Sequence, residues 1–137
     1  MTMSYKGKIE LVDDLHCFVC GENNPHGLNL RFHSLDGRVS ARFKVEKRHQ
    51  GYMDILHGGI ISSILDEASV KAVAATGHTA ITAEITVRFK NHLRVGQESV
   101  VEASVTKYKG KFYETTATMM CIDGRVIATG SAKLIAR

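Results

Sequence analysis

Residues 57–68 read HGGIISSILDEA and open a segment of helical apolar spacing in this chain of 137 residues. From Gly58 to Ala75, apolar residues recur three or four positions apart, which is the spacing of one helix face. On a helical wheel that face carries Ile61, Ile64, Ala68, Ala72 and Ala75. Gly77 suits the C-terminal end of such a helix. The segment therefore predicts one long helix with a buried side.

Alternating apolar and polar residues predict strands on both sides of this helix. Two pairs of alternating runs flank an Asp-Gly dipeptide: residues 28–33 and 39–45 around Asp36-Gly37, and residues 113–122 and 125–135 around Asp123-Gly124. This is a strong hairpin signal, because both central residues of a type I′ turn need positive φ. Two further runs, 81–90 and 99–108, are rich in Val, Thr and Ile and also predict strands.

The order of these elements indicates the fold class. Two strands, one helix and four strands predict an α+β fold with one helix packed on a mostly antiparallel sheet. The uninterrupted run of strands after the helix excludes a Rossmann-like alternation. At this length we expect one domain, residues 1–137.

The composition is that of a globular protein, with 44% apolar and 23% charged residues. The longest apolar-rich stretch, residues 60–75, is interrupted by Asp66, Glu67 and Lys71, so no membrane span is predicted. Residues 1–14 lack the apolar core of a secretory signal. Three cysteines, an odd number, favour a reducing compartment over a disulfide framework. We therefore expect a cytoplasmic protein.

The positive charge is concentrated in the last third of the chain. Residues 1–87 carry a net charge of −1 and residues 88–137 a net charge of +5. This pattern fits a solvated basic face or, alternatively, a site for a small anionic ligand. Nucleic acid is disfavoured as a partner, because there is no Trp, no basic run of five and no nucleic-acid-binding signature.

The two glycines at the start of the predicted helix have a chemical meaning. Glycine is a poor helix former, but a Gly-Gly pair exposes backbone N–H groups where the helix dipole favours negative charge. A developing oxyanion can be stabilised there. The alternative is that His57-Gly58-Gly59 forms only a tight turn from strand to helix.

Asp66 follows Gly59 by seven residues and therefore shares its helix face. That face, which also carries Ser69 and Val70, lies nearly opposite the predicted apolar side. Taken alone, Asp66 is interpreted as a solvated carboxylate, unless a partner subunit covers it. Glu67, four residues before Lys71, is interpreted as one half of an ordinary surface ion pair.

Residues 57–66 match the pattern HGG-x₆-D, and residues 82–89 read TAEITVRF. Together they resemble the signatures of the PaaI-like hotdog-fold acyl-CoA thioesterases, over about residues 26–136. Residues 17–28, with Cys17, Cys20 and Gly21, resemble an N-terminal segment of some thioesterase-superfamily members. The resemblance implies an antiparallel sheet of five or six strands wrapped around one long helix. It also implies an acyl-CoA substrate and a homodimer, often a tetramer. Within the single domain, residues 1–25 would form an N-terminal entry segment.

The resemblance assigns roles residue by residue. Asp66 would be the catalytic carboxylate, Thr82 would help to hold the attacking water, and the Gly58 N–H would polarise the thioester carbonyl. His57 would shape the turn, beside Gly59. In such dimers the carboxylate and the Gly-Gly turn of one site come from different chains.

The sequence departs from the family at one substrate-binding position. Family members often carry an amide side chain six residues before the histidine, where this chain has Gly51. The neighbouring Gln50 is the candidate substitute.

The basic residues of the last third are candidates for contacts with the phosphates of coenzyme A, since phosphate favours Arg and Lys. The alternative is a role in solubility only. The candidates are Arg88, Lys90, Lys107, Lys109 and Lys111.

Cys17 and Cys20, with His16 and His26, offer the ligand types of a zinc site. Structural zinc sites usually add a second tight pair of ligands, which this sequence lacks, and no strand–helix context supports a redox motif. Free thiols, like Cys121, are therefore the default. The sequence predicts no metal site and no cofactor.

Hydrolysis of a thioester is consistent with so few groups, because a thiolate with a pKa of about 8.5 leaves without a strong general acid. Asp66 would activate water as a base or attack directly to form an anhydride, and the sequence leaves both routes open. One alternative is a non-catalytic module that binds acyl-CoA. Another is a hotdog dehydratase or hydratase, which the lack of a proline near His49 or His57 disfavours. Acyl-carrier-protein thioesters are an alternative substrate.

Overall fold

The computed structural model describes residues 10–137 and contains one α-helix, a short 3₁₀ helix and six strands. The helix α1 is Gly58–Ala74, and the 3₁₀ helix is Lys47–His49. The strands are β1 (His33–Leu35), β2 (Arg38–Lys44), β3 (Ala80–Phe89), β4 (Glu98–Lys109), β5 (Phe112–Cys121) and β6 (Val126–Ala136). All neighbouring strands are antiparallel in the order β1-β2-β4-β5-β6-β3. The predicted hotdog architecture is confirmed.

The sheet wraps around α1, which contacts five of the strands, β2 to β6. Ile61, Ile64, Ala68 and Ala72 are buried as the apolar spacing predicts. Ala75 is exposed, contrary to the prediction, because it follows the last helical turn as the C-cap residue. Gly77 has a φ of +95° just beyond the helix, as expected for a helix end.

A curved sheet buries more of the helix than a flat one, and the buried surface of α1 is accordingly wider than the predicted stripe. Leu65 and Val73 are both fully buried. Ser69, which the sequence placed on the polar face beside Asp66, is only 1% exposed.

The prediction of a strand over residues 28–33 is wrong except at its last residue. Of residues 28–33, only His33 belongs to β1. Leu28 and Leu30 instead donate N–H bonds of 2.8 and 2.9 Å to the carbonyls of Phe18 and Val19. The backbone of this run therefore pairs with the N-terminal segment rather than with the sheet, while the Leu28 and Leu30 side chains belong to the main hydrophobic core.

Both predicted hairpins are present, and their turns differ. Asp36 and Gly37 have φ values of +52° and +76°, as a type I′ turn requires. In the second hairpin only Gly124 has positive φ, and its N–H donates to the Cys121 carbonyl at 2.9 Å. The prediction of a type I′ turn at Asp123-Gly124 is therefore wrong, although the hairpin is confirmed.

One long strand lies at the edge of the sheet. β3 has ten residues and pairs only with β6, so its other edge has no strand partner among residues 10–137. A register shift between Thr82 and Glu84 marks a bulge near its start. A long unpaired edge is a template for pairing with another strand. No helix in the described part of the chain is long and apolar enough to cross a bilayer.

Candidate active site

The turn before α1 is held by His57, the N-cap residue of the helix. Its Nδ1 accepts a hydrogen bond of 2.8 Å from the Gly59 N–H. Its carbonyl accepts the N–H groups of Ile60 and Ile61 at 3.0 and 3.2 Å. Because Nδ1 acts as an acceptor, the neutral ring carries its proton on Nε2. His57 therefore shapes the turn geometrically, as the resemblance implies.

This capping leaves one backbone donor at the helix start. The Gly58 N–H has no acceptor among residues 10–137, whereas the Gly59 N–H is occupied by His57. An orphan N–H at the start of a 17-residue helix carries the positive end of the helix dipole. Gly58 therefore presents a donor that is suited to a developing negative charge on a carbonyl oxygen.

A largely apolar cavity of about 680 Å³ opens in front of the Gly58 donor. A Cβ atom at position 58 would lie 3.4 Å from Cε1 of Phe89, so the helix start touches the end of β3. The cavity walls include Gln50, His57, Gly58, Ile61, Phe89 and His92. Its volume is within the usual range for small-molecule sites.

The structure gives a reason for the departure from the family at position 51. A Cβ atom at Gly51 would lie 3.2 Å from Cδ2 of His57, so a side chain there would press on the capping ring. Gln50 lines the cavity instead, and its Oε1 accepts the Asp54 N–H at 3.0 Å. Its amide NH₂ donors are thereby left for the cavity.

Asp66 lies at the other end of β3 and is held there by Thr82. The Thr82 hydroxyl donates to Asp66 Oδ1 over 2.5 Å. Both side chains are half-buried and line a second cavity of about 410 Å³, together with Ser62, Ser63 and Glu84. The bulge after Thr82 aims this side chain at the helix. Asp66 is thus a positioned carboxylate rather than a freely solvated one.

Asp66 and Gly58 are not brought together within one chain. They line different cavities, and eight helical residues separate them by a rise of about 12 Å. A reacting carbonyl has to lie within about 3 to 3.5 Å of both its attacking group and its donor. Within one chain the carboxylate and the backbone donor therefore belong to two separate cavities.

The five basic candidates fall into two separate groups, and all five are exposed. Arg88 and Lys90 lie at the end of β3, beside Phe89 of the first cavity. The β4–β5 hairpin carries the other three, Lys107, Lys109 and Lys111. Lys109 of β4 lies in the same cross-strand row of the sheet as Ile81 of β3, with β5 and β6 between them. Seven strand residues, about 23 Å, separate that row from Arg88.

Two residues near the site have surroundings that the sequence did not indicate. His49 is 4% exposed, and its carbonyl accepts the His57 N–H at 3.0 Å, so it supports the capping turn. Burial, and then the charge of Arg48, lower the pKa of His49. The hydrophobic periodicity of the sequence does not indicate that His49 is buried.

Glu67 is the second of these residues. It does pair with Lys71 at 3.8 Å, but its side chain is only 16% exposed, so the prediction of an ordinary surface pair is wrong. The thiols of Cys17 and Cys20 lie against it. In the sequence, the Cys-x-x-Cys spacing was the one feature that could have indicated these contacts with Glu67.

Comparison with known proteins identifies the family. A family model described as the thioesterase superfamily matches residues 53–128. Human acyl-coenzyme A thioesterase 13 is 30% identical over 98 residues, which cover 69% of each chain. The family model spans His57, Gly58, Asp66 and Thr82.

Solved structures show the same fold. A thioesterase superfamily protein superposes with a TM-score of 0.84 at 20% identity, covering 96% of this chain and 73% of its own. The E. coli PaaI protein, from the phenylacetic acid degradation operon, superposes with a TM-score of 0.76 at 19% identity, covering 80% of each chain. The family model and the human relative together identify the chain as a member of the thioesterase superfamily.

Proposed function

We propose that this protein hydrolyses acyl-CoA thioesters to carboxylic acids and coenzyme A in sites shared by two copies of the chain. The observation that carries this proposal is that the carboxylate and the backbone donor line separate cavities of one chain, which we interpret as two half-sites. Asp66, held by Thr82, lies at one end of β3, and the free Gly58 N–H lies at the other. The name of the human relative supports an acyl-CoA substrate.

A two-fold axis through the middle of β3 would unite the half-sites. The unpaired edge of β3 can accept an antiparallel copy of itself. With the axis between Ile85 and Thr86, Thr82 of one copy lies opposite Phe89 of the other. The Asp66 carboxylate of one chain would then face the Gly58 N–H of the second chain across the pair of strands.

The chemistry follows from these groups. The Gly58 N–H donates to the thioester oxygen, which polarises the carbonyl and stabilises the oxyanion. Thr82 occupies Asp66 Oδ1, so Oδ2 is left to take a proton from water as the water attacks the carbonyl carbon. Collapse of the oxyanion expels the coenzyme A thiolate, which takes up a proton from solvent.

The same axis would bring the two basic groups to one rim. The end of β3 that carries Ile81, which is in register with Lys109, would lie in one copy beside the end of β3 that carries Arg88 in the other copy. Arg88 and Lys90 lie nearest the first cavity and would contact the phosphates of coenzyme A first. Lys107, Lys109 and Lys111 of the second copy would extend that surface.

Thiol release from a panel of acyl-CoA esters tests the reaction and the carboxylate. We expect turnover of at least one ester by the wild type and a fall of about 10²- to 10⁴-fold for Asp66→Asn, the range for a positioned base. Glu102→Gln removes an exposed carboxylate on β4 and serves as the matched control. Wild-type protein that binds the esters without releasing thiol would instead be a binding module, and the proposal would be wrong.

Light scattering on Thr86→Glu tests the shared site. This substitution places two carboxylates next to the proposed axis, where like charges oppose pairing. We expect loss of both the dimer and the activity. Thr116→Glu is the control, because Thr116 is exposed in the same row of the sheet, two strands inward. A dimer that survives Thr86→Glu would contradict pairing through β3.

A further inference from the structure

The N-terminal segment forms a tight turn that presents two thiols side by side. The Gly21 N–H donates to the Cys17 carbonyl at 2.8 Å, and the Val19 N–H donates to Cys17 Sγ at 3.4 Å. A Cβ atom at Gly21 would lie 2.3 Å from the Cys17 nitrogen, so only glycine fits there. The turn therefore fixes the Cys17 sulfur atom and brings Cys20 close to it.

A carboxylate from α1 faces the two thiols. Cys17 Sγ lies 3.6 Å from Glu67 Oε2, and Cys20 Sγ lies 3.3 Å from Glu67 Oε1. One ligand atom from each of these half-buried residues lies within 4.8 Å of the others. Neither histidine that the sequence offered belongs to this cluster of ligand atoms.

We propose that Cys17, Cys20 and Glu67 form a binding site for a zinc-class divalent cation that links the N-terminal segment to α1. Thiolate sulfur and carboxylate oxygen are both established zinc ligands. With a Zn–S length of about 2.3 Å, sulfur ligands in a tetrahedral site lie about 3.8 Å apart. The distances between the ligand atoms of the three side chains therefore need to shorten by only about 1 Å.

The charges of the site favour exchange of two protons for one dication. Without a metal, both thiols donate to one carboxylate, and Lys71, 3.8 Å from Glu67 Oε1, balances that carboxylate. On binding, both thiol protons leave to solvent, and the site keeps the same net charge.

Three protein ligands leave a fourth position, which opens to a cavity of about 590 Å³ between the N-terminal segment and α1. A water molecule would complete the tetrahedron there. The metal would restrain the helix one residue after Asp66, so its first effect would be on the stability of the folded chain.

Titration of the reduced, full-length protein with Co²⁺ tests the site. We expect one equivalent to bind, with a thiolate-to-metal charge-transfer absorption and the intense visible bands of a tetrahedral site, and Zn²⁺ to displace it. Cys17→Ser and Cys20→Ser should abolish the charge-transfer band, and Glu67→Gln should weaken binding by at least about tenfold. The matched controls, Cys121→Ala and Glu22→Gln, should bind Co²⁺ as the wild type does.

A second measurement needs no variant. Zn²⁺ should protect Cys17 and Cys20 from alkylation by iodoacetamide, as located by mass spectrometry. A folded, reduced wild type without a charge-transfer band, or with unprotected thiols, would overturn the proposal. A band that persists in both serine variants would overturn the ligand assignment. These readouts do not depend on thioester hydrolysis.

Discussion

The hydroxyl of Thr82 donates to Asp66 Oδ1 over 2.5 Å, and this bond joins the middle of α1 to the start of β3. The fifteen residues between them include the end of the helix and the turn at Gly77. A bond between half-buried groups on two rigid elements fixes the direction of the carboxylate. Asp66 is thus held beside the start of β3, the strand on which we propose that a second copy pairs.

Removing this bond should slow catalysis while the fold is kept. Thr82→Val retains the shape of the side chain without the hydroxyl, and a hydrogen bond to a charged group contributes about 1.5–3 kcal/mol. We expect kcat to fall by about tenfold to a hundredfold, with a small change in KM. Thr82→Ser retains the hydroxyl and should keep most of the activity. Wild-type kcat in Thr82→Val would show that Thr82 does not position the carboxylate.

The Gly58 N–H can be removed by one substitution that the backbone tolerates. Proline is favoured at the first helical position, and the preceding His57 has φ −62° and ψ 132°, which suit a residue before proline. Gly58→Pro should reduce kcat by about 10²- to 10³-fold, as for other oxyanion donors. Gly58→Ala has the same Cβ contact with Phe89 and keeps the N–H, so it should retain activity. Equal losses in both variants would indicate steric blockage instead.

The features that local sequence patterns determine were predicted well. The helical spacing after His57 predicted α1 to within one residue of its observed end. Asp36-Gly37 predicted a type I′ hairpin, because both φ values depend on the two residues themselves. The turn from His57 into the helix was also indicated by the sequence, since the N-cap and the helix are adjacent, whereas the role that the resemblance gives Asp66 stays a prediction.

The features that depend on distant contacts were not predicted. The backbone N–H groups of Leu28 and Leu30 bond to the N-terminal segment rather than to a strand of the sheet, and no short stretch of sequence distinguishes these partners. Glu67 has a surface-like i,i+4 spacing with Lys71, yet a segment about fifty residues away covers it. The burial of His49 likewise follows from tertiary packing.

The folded protein should lose stability as the pH falls below about 6.5, because His49 is buried as the neutral ring. Burial, and then Arg48, hold its pKa in the folded chain below the value of about 6.5 in the unfolded chain. Between these two pKa values the unfolded state binds the additional proton, so the free energy of unfolding decreases as pH decreases. Urea denaturation between pH 7.5 and pH 5 measures this slope and stays above the range in which Glu46 titrates.

The variant His49→Asn should show a smaller dependence of the unfolding free energy on pH over that interval. His26→Asn is the control, since His26 is exposed, and it should keep the wild-type slope. A slope that is identical in the wild type and in His49→Asn would assign the acid sensitivity to other groups.

Mixing two inactive variants should restore activity if each site draws on two chains. A dimer of one Asp66→Asn chain and one Gly58→Pro chain has one site with both lesions and one site with none. After subunit exchange of equal amounts, half of the dimers are mixed, so we expect about one quarter of the wild-type rate of thiol release. Mixing Asp66→Asn with Thr82→Val is the control, because both lesions affect the same half-site and every site keeps one of them. That mixture should not exceed the mean of its parents, whereas a site contained in one chain would leave both mixtures at that mean.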